Sequence, residues 1–529
     1  MKKTAFAYIV LFSKVFLTVA ALLIALAACS NPSGDEGKAF FTINLGSSGR
    51  MAWGPSGTGG AYPSFNELKY ELIFSSAGKS PQIFKDDLSA NGKITGTIDV
   101  GTYNVSLKIF LLDDYLYAQD DETHSSVEII PNGNTPITLH MVKNEYVDGQ
   151  GLEGNPFRVY DVDTLGRVGK GANPSTWTGD WSLSAHYRQM RDIALTAPVQ
   201  GGSNLTPIGN DDDPFTGVYD GNGKTISNLI INEPVSDEAV GLFGTTGLDI
   251  TTNSVAIIKN IGLINCNIIG CNNVGGVVGS SRDSSEVINC YVTGNVSGNE
   301  NVGGVVGNSG NIVQNCYSTG DVSGYGNVGG VVGSGGIVQK CYSTGDVEGG
   351  GSKVGGVAGR VGLMENCYAT VDVKGDSQVG GLVGEIQGGL VQNCYATGDV
   401  NGTSGHVGGL IGVDMMGKVQ NCVALNLNIS GGSMYVSGIE GYHESTQINN
   451  YWRQNMKVNG SSGDENSSNR EEITTTQWSD PDWWTTAGNW DTADNGLIWD
   501  FDEIWEWGGS LPILTDMPGR AQDPSVKNN

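Results

Sequence analysis

Three residue types recur at one spacing and offer binding chemistry: tyrosines at Tyr317, Tyr342, Tyr368 and Tyr395, threonines at Thr319, Thr344, Thr370 and Thr397, and aspartates at Asp321, Asp346, Asp372 and Asp399. They follow the order Tyr-x-Thr-x-Asp. An extended strand turns alternate side chains to one face, so the three columns share a surface. Aromatic rings beside hydroxyls suit a glycan or an extended protein partner. Stacked tyrosines would equally stabilise a sheet with no ligand at all. Carboxylates on successive strands about 5 Å apart repel by roughly 0.8 kcal/mol in water. Relief comes either from splaying into solvent or from a bridging cation such as Ca²⁺, which prefers carboxylate oxygens.

Other chemistry is poorly provided for. The five histidines, at 124, 140, 186, 406 and 443, are not spaced as a metal or catalytic cluster. His443-Glu444 is followed by Gln447, so the zinc-protease pattern H-E-x-x-H is missing, and no G-x-S-x-G elbow occurs. Gly324 to Gly329 matches G-x-G-x-x-G but lies inside a repeat with no helix to follow, which excludes a dinucleotide reading. No cofactor is implied. The net charge of −27 argues against nucleic acid and anionic lipid as partners found by charge.

The columns are positioned by a repeat. V-G-G-[VL]-[VAI]-G begins at Val274, Val302, Val328, Val354, Val379 and Val407, a period of 28, 26, 26, 25 and 28 residues, and N-C-Y-[SA]-T-G-D-V or a variant follows each start. The 80 glycines and the β-branched residues exclude helix. A unit of this length holds two or three short strands and cannot bury its own apolar face, so turns must stack, each strand pairing with its equivalent one coil away, as a parallel β-helix. Parity places Cys316, Ser318, Gly320 and Val322 on the face opposite Tyr317. Charge belongs in water and a small thiol packs inside, so Cys266, Cys290, Cys316, Cys341, Cys367, Cys394 and Cys422 are expected as an inward column of free thiols. The preceding asparagines, at 265, 289, 315, 366, 393 and 421, are expected to form an internal ladder, with Lys340 the exception.

These phrases resemble the GLUG motif, a repeat of bacterial surface proteins that include adhesin-like proteins and some immunoglobulin-A peptidases. The resemblance spans roughly 155 to 514, including the lead-in L-S-A-H-Y-R-Q-M-R-D-I-A-L, the stretch F-T-G-V-Y-D-G-N-G-K-T-I-S-N-L-I-I, and the aromatic close W-D-F-D-E-I-W. It implies a β-helix and an extracellular setting, without one activity.

The remaining chain divides around the repeat. Residues 1–28 have Lys2 and Lys3, an apolar run and a close at L-A-A-C, which looks like a lipoprotein signal with Cys29 as the lipid attachment site. Residues 29–37 are a tether. Residues 38–145 carry six or seven spaced strand-like runs and read as an immunoglobulin-like or prealbumin-like β-sandwich. Residues 150–240 form the N-terminal cap and first turns, with helical leanings around Tyr160 to Arg167. The GLUG β-helix occupies 241–455, a mobile loop and Trp-rich cap 456–519, and a tail 520–529. The seven tryptophans between Trp478 and Trp507 read as closing the last turn in preference to a sugar-stacking site. Leu425 and Leu427 fall on the outer face, so either the phase slips there or the Trp-rich tail packs on them.

The expectation is an all-β protein: a parallel β-helix preceded by a small β-sandwich, lipid-anchored to the bacterial envelope, outer membrane and surface-exposed. It would serve non-enzymatic adhesion to a glycan or a host or matrix protein. A polysaccharide-acting β-helix enzyme and a structural envelope protein are the competing classes.

Overall fold

The computed structural model describes residues 19–24, 38–44, 68–88, 93–111, 116–120, 126–129, 137–143, 148–172, 179–198, 201–249, 253–282, 284–432, 435–444, 446–459, 470–490, 499–519, 522 and 524–527. The chain separates into two units, residues 1–148 and 149–529.

In the first unit the described strands follow one antiparallel hydrogen-bonded path, except Val127–Ile129, which pairs off it with Gly101–Leu111. Its logic is visible in Gly101–Leu111, where Tyr103, Val105, Leu107, Ile109 and Leu111 are buried and the residues between them are not. Phe41, Phe74, Phe84 and Tyr103 pack ring against ring at 5.0 to 5.9 Å. Within the stretch read as a leader, Val19–Ile24 is a strand between Lys38–Asn44 and Ile137–Lys143. Cleavage before Cys29 would take that strand out of the sheet. Cys29 and the tether lie outside the described residues.

The second unit is a parallel β-helix. One turn runs through Gly326–Gly329, Val332–Gln339, Tyr342–Ser343 and Val347–Gly349. Equivalent letters of the repeat are register partners: Val302 with Val328 and Val354, Tyr317 with Tyr342 and Tyr368, Val322 with Val347 and Val373. The valines point inward and are buried without exception along Val274, Val302, Val328, Val354, Val379 and Val407. Glycine is required where coils close on one another. A Cβ at Gly320 would overlap the carbonyl of Gly294 one turn away, and one at Gly345 would overlap that of Gly320.

The corners use asparagine in the left-handed region. Asn289, Asn315, Asn366, Asn393 and Asn421 have φ between 53 and 56°, and Lys340 in the same position has φ 49°. Asparagine tolerates this region better than lysine does. The ladder is hydrogen-bonded: Asn315 Nδ2 donates to Asn289 Oδ1 at 2.9 Å, and Asn289 Nδ2 to Asn260 Oδ1 at 3.0 Å. A second ladder, not anticipated from the sequence, occupies the corner before V-G-G, with Asn301 bonded to Asn273 and Asn327 to Asn301 at 2.8 and 2.9 Å.

The thiol column is inward, as expected, from Cys290 to Cys422, all with no exposed surface. Cys266 is a correction. It is buried, but its register partner is Gly294, and the place before Cys290 is taken by Ile261, because Asn260 and not Asn265 holds the ladder position. All eight described cysteines are free. Each thiol from Cys290 to Cys422 donates to the carbonyl two residues back at 3.0 to 3.2 Å. Burial pushes the thiols of Cys290, Cys316, Cys341 and Cys394 well up and that of Cys266 to about 12.

The first turns are closed by aromatics. Phe157 stacks on Trp181 at 4.5 Å, and Tyr187, Phe215, Tyr219 and Phe243 continue the plug. The expected helix is Val162–Arg167, started by a capping box between Asp161 and Thr164. At the other end the core is closed from within the coil: Trp452 lies against Gly438, and Trp452 and Met456 pack on the core. Of the tryptophans from Trp478 to Trp507, Trp483 and Trp490 pack on Tyr451 of the last turn at 5.1 and 5.3 Å, and the others extend from there along the outer flank of the coil.

Candidate functional site

The flank carrying Tyr-x-Thr-x-Asp is built by the two-residue strands Tyr317–Ser318, Tyr342–Ser343, Tyr368–Ala369 and Tyr395–Ala396. Parallel in-register pairing stacks the rings of Tyr291, Tyr317, Tyr342, Tyr368 and Tyr395 at 4.6 to 5.0 Å with planes within 7°. The rings point away from the thiol core but not into water. Tyr317, Tyr368 and Tyr395 are 0 % exposed and Tyr342 2 %.

Their cover is the C-terminal segment, which folds back along the coil. Two short helices, Thr475–Trp478 and Pro481–Thr485, and a hairpin of Trp505–Trp507 with Pro512–Leu514 bring Trp484, Trp499 and Trp505 within 6.1 to 6.4 Å of Tyr368 and Tyr395. The indoles of Trp484 and Trp490 donate to the carbonyls of Trp478 and Trp484, and Trp505 Nε1 donates to Asn366 Oδ1 at 3.2 Å. Tyr395 Oη donates to the Pro512 carbonyl at 2.7 Å and Tyr368 Oη to Gln522 Oε1 at 2.8 Å. Leu425 has joined this cluster. The tail therefore packs on Leu425, and the phase slips as well: Ala396 pairs with Ala424 but Val400 with Ile429, one residue further on, so both alternatives posed by the sequence occur. Each large side chain buried here is worth about 1.5–3 kcal/mol.

The tyrosine column is thus corrected from ligand surface to the floor of an intramolecular clasp. Thr319 and Thr370 are half-buried, Thr344 is exposed and Thr397 is buried, so the threonines do not form one accessible face either. The aspartates are handled in the same way. Asp321, Asp372 and Asp399 accept the backbone N–H of Asp346, Asp399 and Asn428 at 2.9 to 3.1 Å. Lys527 Nζ bridges Asp372 at 2.6 Å and Asp399 at 3.0 Å. Burial pushes the Asp399 carboxyl up, but Lys527 and the Asn428 amides outweigh it and hold it below the usual carboxylate range. Among the described residues no group of three or more His, Cys, Asp or Glu is gathered to hold a metal ion. At Asp372 and Asp399 amides and an ammonium offset the carboxylate repulsion, while Asp321 and Asp346 are exposed. Gln522, Pro524, Val526 and Lys527, within the stretch expected as a tail, belong to the clasp.

Beyond the clasp, a cavity of about 490 Å³ is lined by Leu195, Asn228, Ile230, Asn265, Asn267 and Asn295. Its amides are partly engaged: Asn265 Nδ2 donates to Asn228 Oδ1 at 2.8 Å, and Asn295 Oδ1 accepts from Asp321 N.

The sequence reading missed one accessible aromatic group. At the V-G-G corner the left-handed position passes from Asn273, Asn301 and Asn327 through Lys353 and Gln378 to His406 and Tyr435. His406 and Tyr435 stack at 5.0 Å and 9°, and Tyr442 stands across both at 5.6 Å. All three are half-buried. The available signal was the residue before each Val-Gly or Val-Ser, where Asn gives way to His and Tyr.

Comparison with known proteins agrees with the repeat. Halomucin of Haloquadratum walsbyi is 34 % identical over 151 residues, which cover 27 % of this chain and 2 % of halomucin. A solved structure of IgA1 Protease superposes at TM-score 0.34 and 12 % identity over 77 % of this chain and 30 % of that one. At that level it carries neither fold nor activity across. The chain thus spans a small part of each protein it matches. The model of the GLUG motif matches residues 270–297, 298–323 and 375–401, so the chain carries GLUG-motif repeats.

Proposed function

We propose that the chain is a lipid-anchored bacterial cell-surface protein that binds a glycan or a host or matrix protein without catalysing a reaction. The observation that carries this reading is the uninterrupted stack of in-register GLUG turns, seven deep along the V-G-G corner. Such a rod is pinned by two asparagine ladders and a clasp, and it suits presenting surface side chains at fixed spacing. The GLUG motifs and the halomucin match support a cell-surface setting. Acylation at Cys29 supplies the membrane attachment.

The test is an array of glycans and matrix proteins probed with the full-length chain. Saturable binding with no change in the ligand is expected. Cleavage of an arrayed polysaccharide would replace this reading with the β-helix enzyme, and no binding at all would leave a structural envelope protein. For the anchor, Cys29→Ser should abolish acyl labelling and release the chain from membranes. Retention with labelling intact would overturn it.

A further inference from the structure

The geometry points to a saccharide-binding platform formed by His406, Tyr435 and Tyr442 with Glu444 at its edge, on the last turns of the coil. The inference deepens the adhesion reading and rests on it, by assigning the contact surface and the ligand class.

Strain is the first argument. Positive φ is tolerated by asparagine and histidine and costs more for a bulky side chain such as tyrosine. The coil has a low-cost solution for this corner in Asn273, Asn301 and Asn327, which also earn ladder hydrogen bonds. It leaves that solution first at Lys353 (φ 65°) and Gln378 (φ 54°) and then at His406 (φ 64°) and Tyr435 (φ 58°), and of these four the last two carry rings. Strained positions of this kind gather at ligand-contacting sites.

Accessibility is the second. Tyr317, Tyr342, Tyr368 and Tyr395 are buried with the C-terminal segment, whereas His406, Tyr435 and Tyr442 remain partly exposed. Tyr435 precedes Val436–Ser437, the last strand of the seven-stranded corner stack. Among the described residues no further strand of that stack follows it.

The ligand class follows from shape and charge. Rings 5.0 to 5.6 Å apart leave no slot between them for an intercalated group or a caged cation, so a ligand must lie on the outside. A pyranose has a flat C–H face for such a platform and hydroxyls around its rim. Tyr442 Oη donates to Glu444 Oε1 at 2.9 Å, and the exposed carboxylate keeps acceptor capacity for those hydroxyls. Two turns before His406, Lys353 and Arg360 are both within 3.4 Å of Glu385, so their charge is already matched. With Glu444 at the rim and a net charge of −27, the platform favours neutral or amino sugars over sialic or uronic acids.

The experiment is a titration of the full-length chain against immobilised neutral, amino and acidic oligosaccharides, with Tyr435→Asn, His406→Asn and Tyr442→Ala alongside. Tyr435→Asn restores the residue the corner favours, so its melting temperature should equal or exceed that of the parent. Its saccharide Kd should rise about tenfold, since one lost aromatic contact of about 1.5 kcal/mol has that effect. Neutral and amino sugars should bind and acidic ones should not. Saccharide binding unchanged in all three variants would overturn the platform while leaving the adhesion reading in place. Binding confined to matrix proteins would do the same. An absence of any binding would overturn both.

Discussion

Two aromatic stacks ride on the same coil, and their surroundings make them opposites. The five tyrosines from Tyr291 to Tyr395 form the longer stack, yet four of them are buried in one cluster with the C-terminal segment, Tyr368 and Tyr395 directly against its tryptophans. His406, Tyr435 and Tyr442 form the shorter one and stay half-exposed. The backbone differs too: the sealed stack sits on extended strands, and His406 and Tyr435 sit in the left-handed region. A repeated aromatic on a solenoid therefore does not by itself mark a binding surface. What decides is whether another part of the chain needs it.

The comparison can be broken most forcefully at the clasp. Trp505→Ala removes a fully buried indole and its bond to Asn366, and should cost about 3–5 kcal/mol in denaturant unfolding, whereas Tyr435→Asn should cost nothing. Equal costs would erase the distinction between the two stacks.

A smaller effect belongs to Lys527. Its ion pairs with Asp372 and Asp399 are partly exposed, so Lys527→Met should cost about 0.5–1 kcal/mol near neutral pH. The pH window follows from the two shifts. Asp399 is held below its ordinary value, so its contribution is present above about pH 3.9 and is lost as pH falls through the lowered folded-state pKa. For Lys527, burial pulls the ammonium's pKa down but Asp372 and Asp399 outweigh it, leaving it raised. Its contribution is complete below about pH 10.4 and fades as pH rises through the folded-state value. The difference between parent and variant should be level between these limits and vanish outside them. A difference that persists at pH 2 would refute the ion-pair account. Least of all should the coil respond to calcium: millimolar Ca²⁺ or chelator should leave the melting curve unmoved, and a rise abolished by Asp346→Asn with Asp372→Asn would restore the cation bridge.

Much of the coil was legible because its determinants are local. Spacing of V-G-G gave the turn length, alternation around Cys316 gave the inward face, and Tyr160 to Arg167 gave the helix. Cys266 was misplaced because Asn265-Cys266 copies the motif while Asn260-Ile261 holds the matching place in the turn. The clasp escaped because nothing in a run of tryptophans says which surface they will cover. Tyr368 meets Gln522 across 154 residues, and such a contact leaves no periodic trace. The tyrosines' outward parity was read correctly, but outward from one core proved to be inward to another.

The account's central claim is that the tyrosine flank is closed and the corner open, and chemical modification of tyrosines in the native full-length chain, mapped residue by residue, tests it directly. Tyr325, 57 % exposed, serves as the internal standard. Tyr435 should be modified at a rate comparable to it, and Tyr317, Tyr342, Tyr368 and Tyr395 should remain unmodified until the chain unfolds. Modification of Tyr342 and Tyr368 as fast as Tyr325 would contradict the clasp and return the column to the surface.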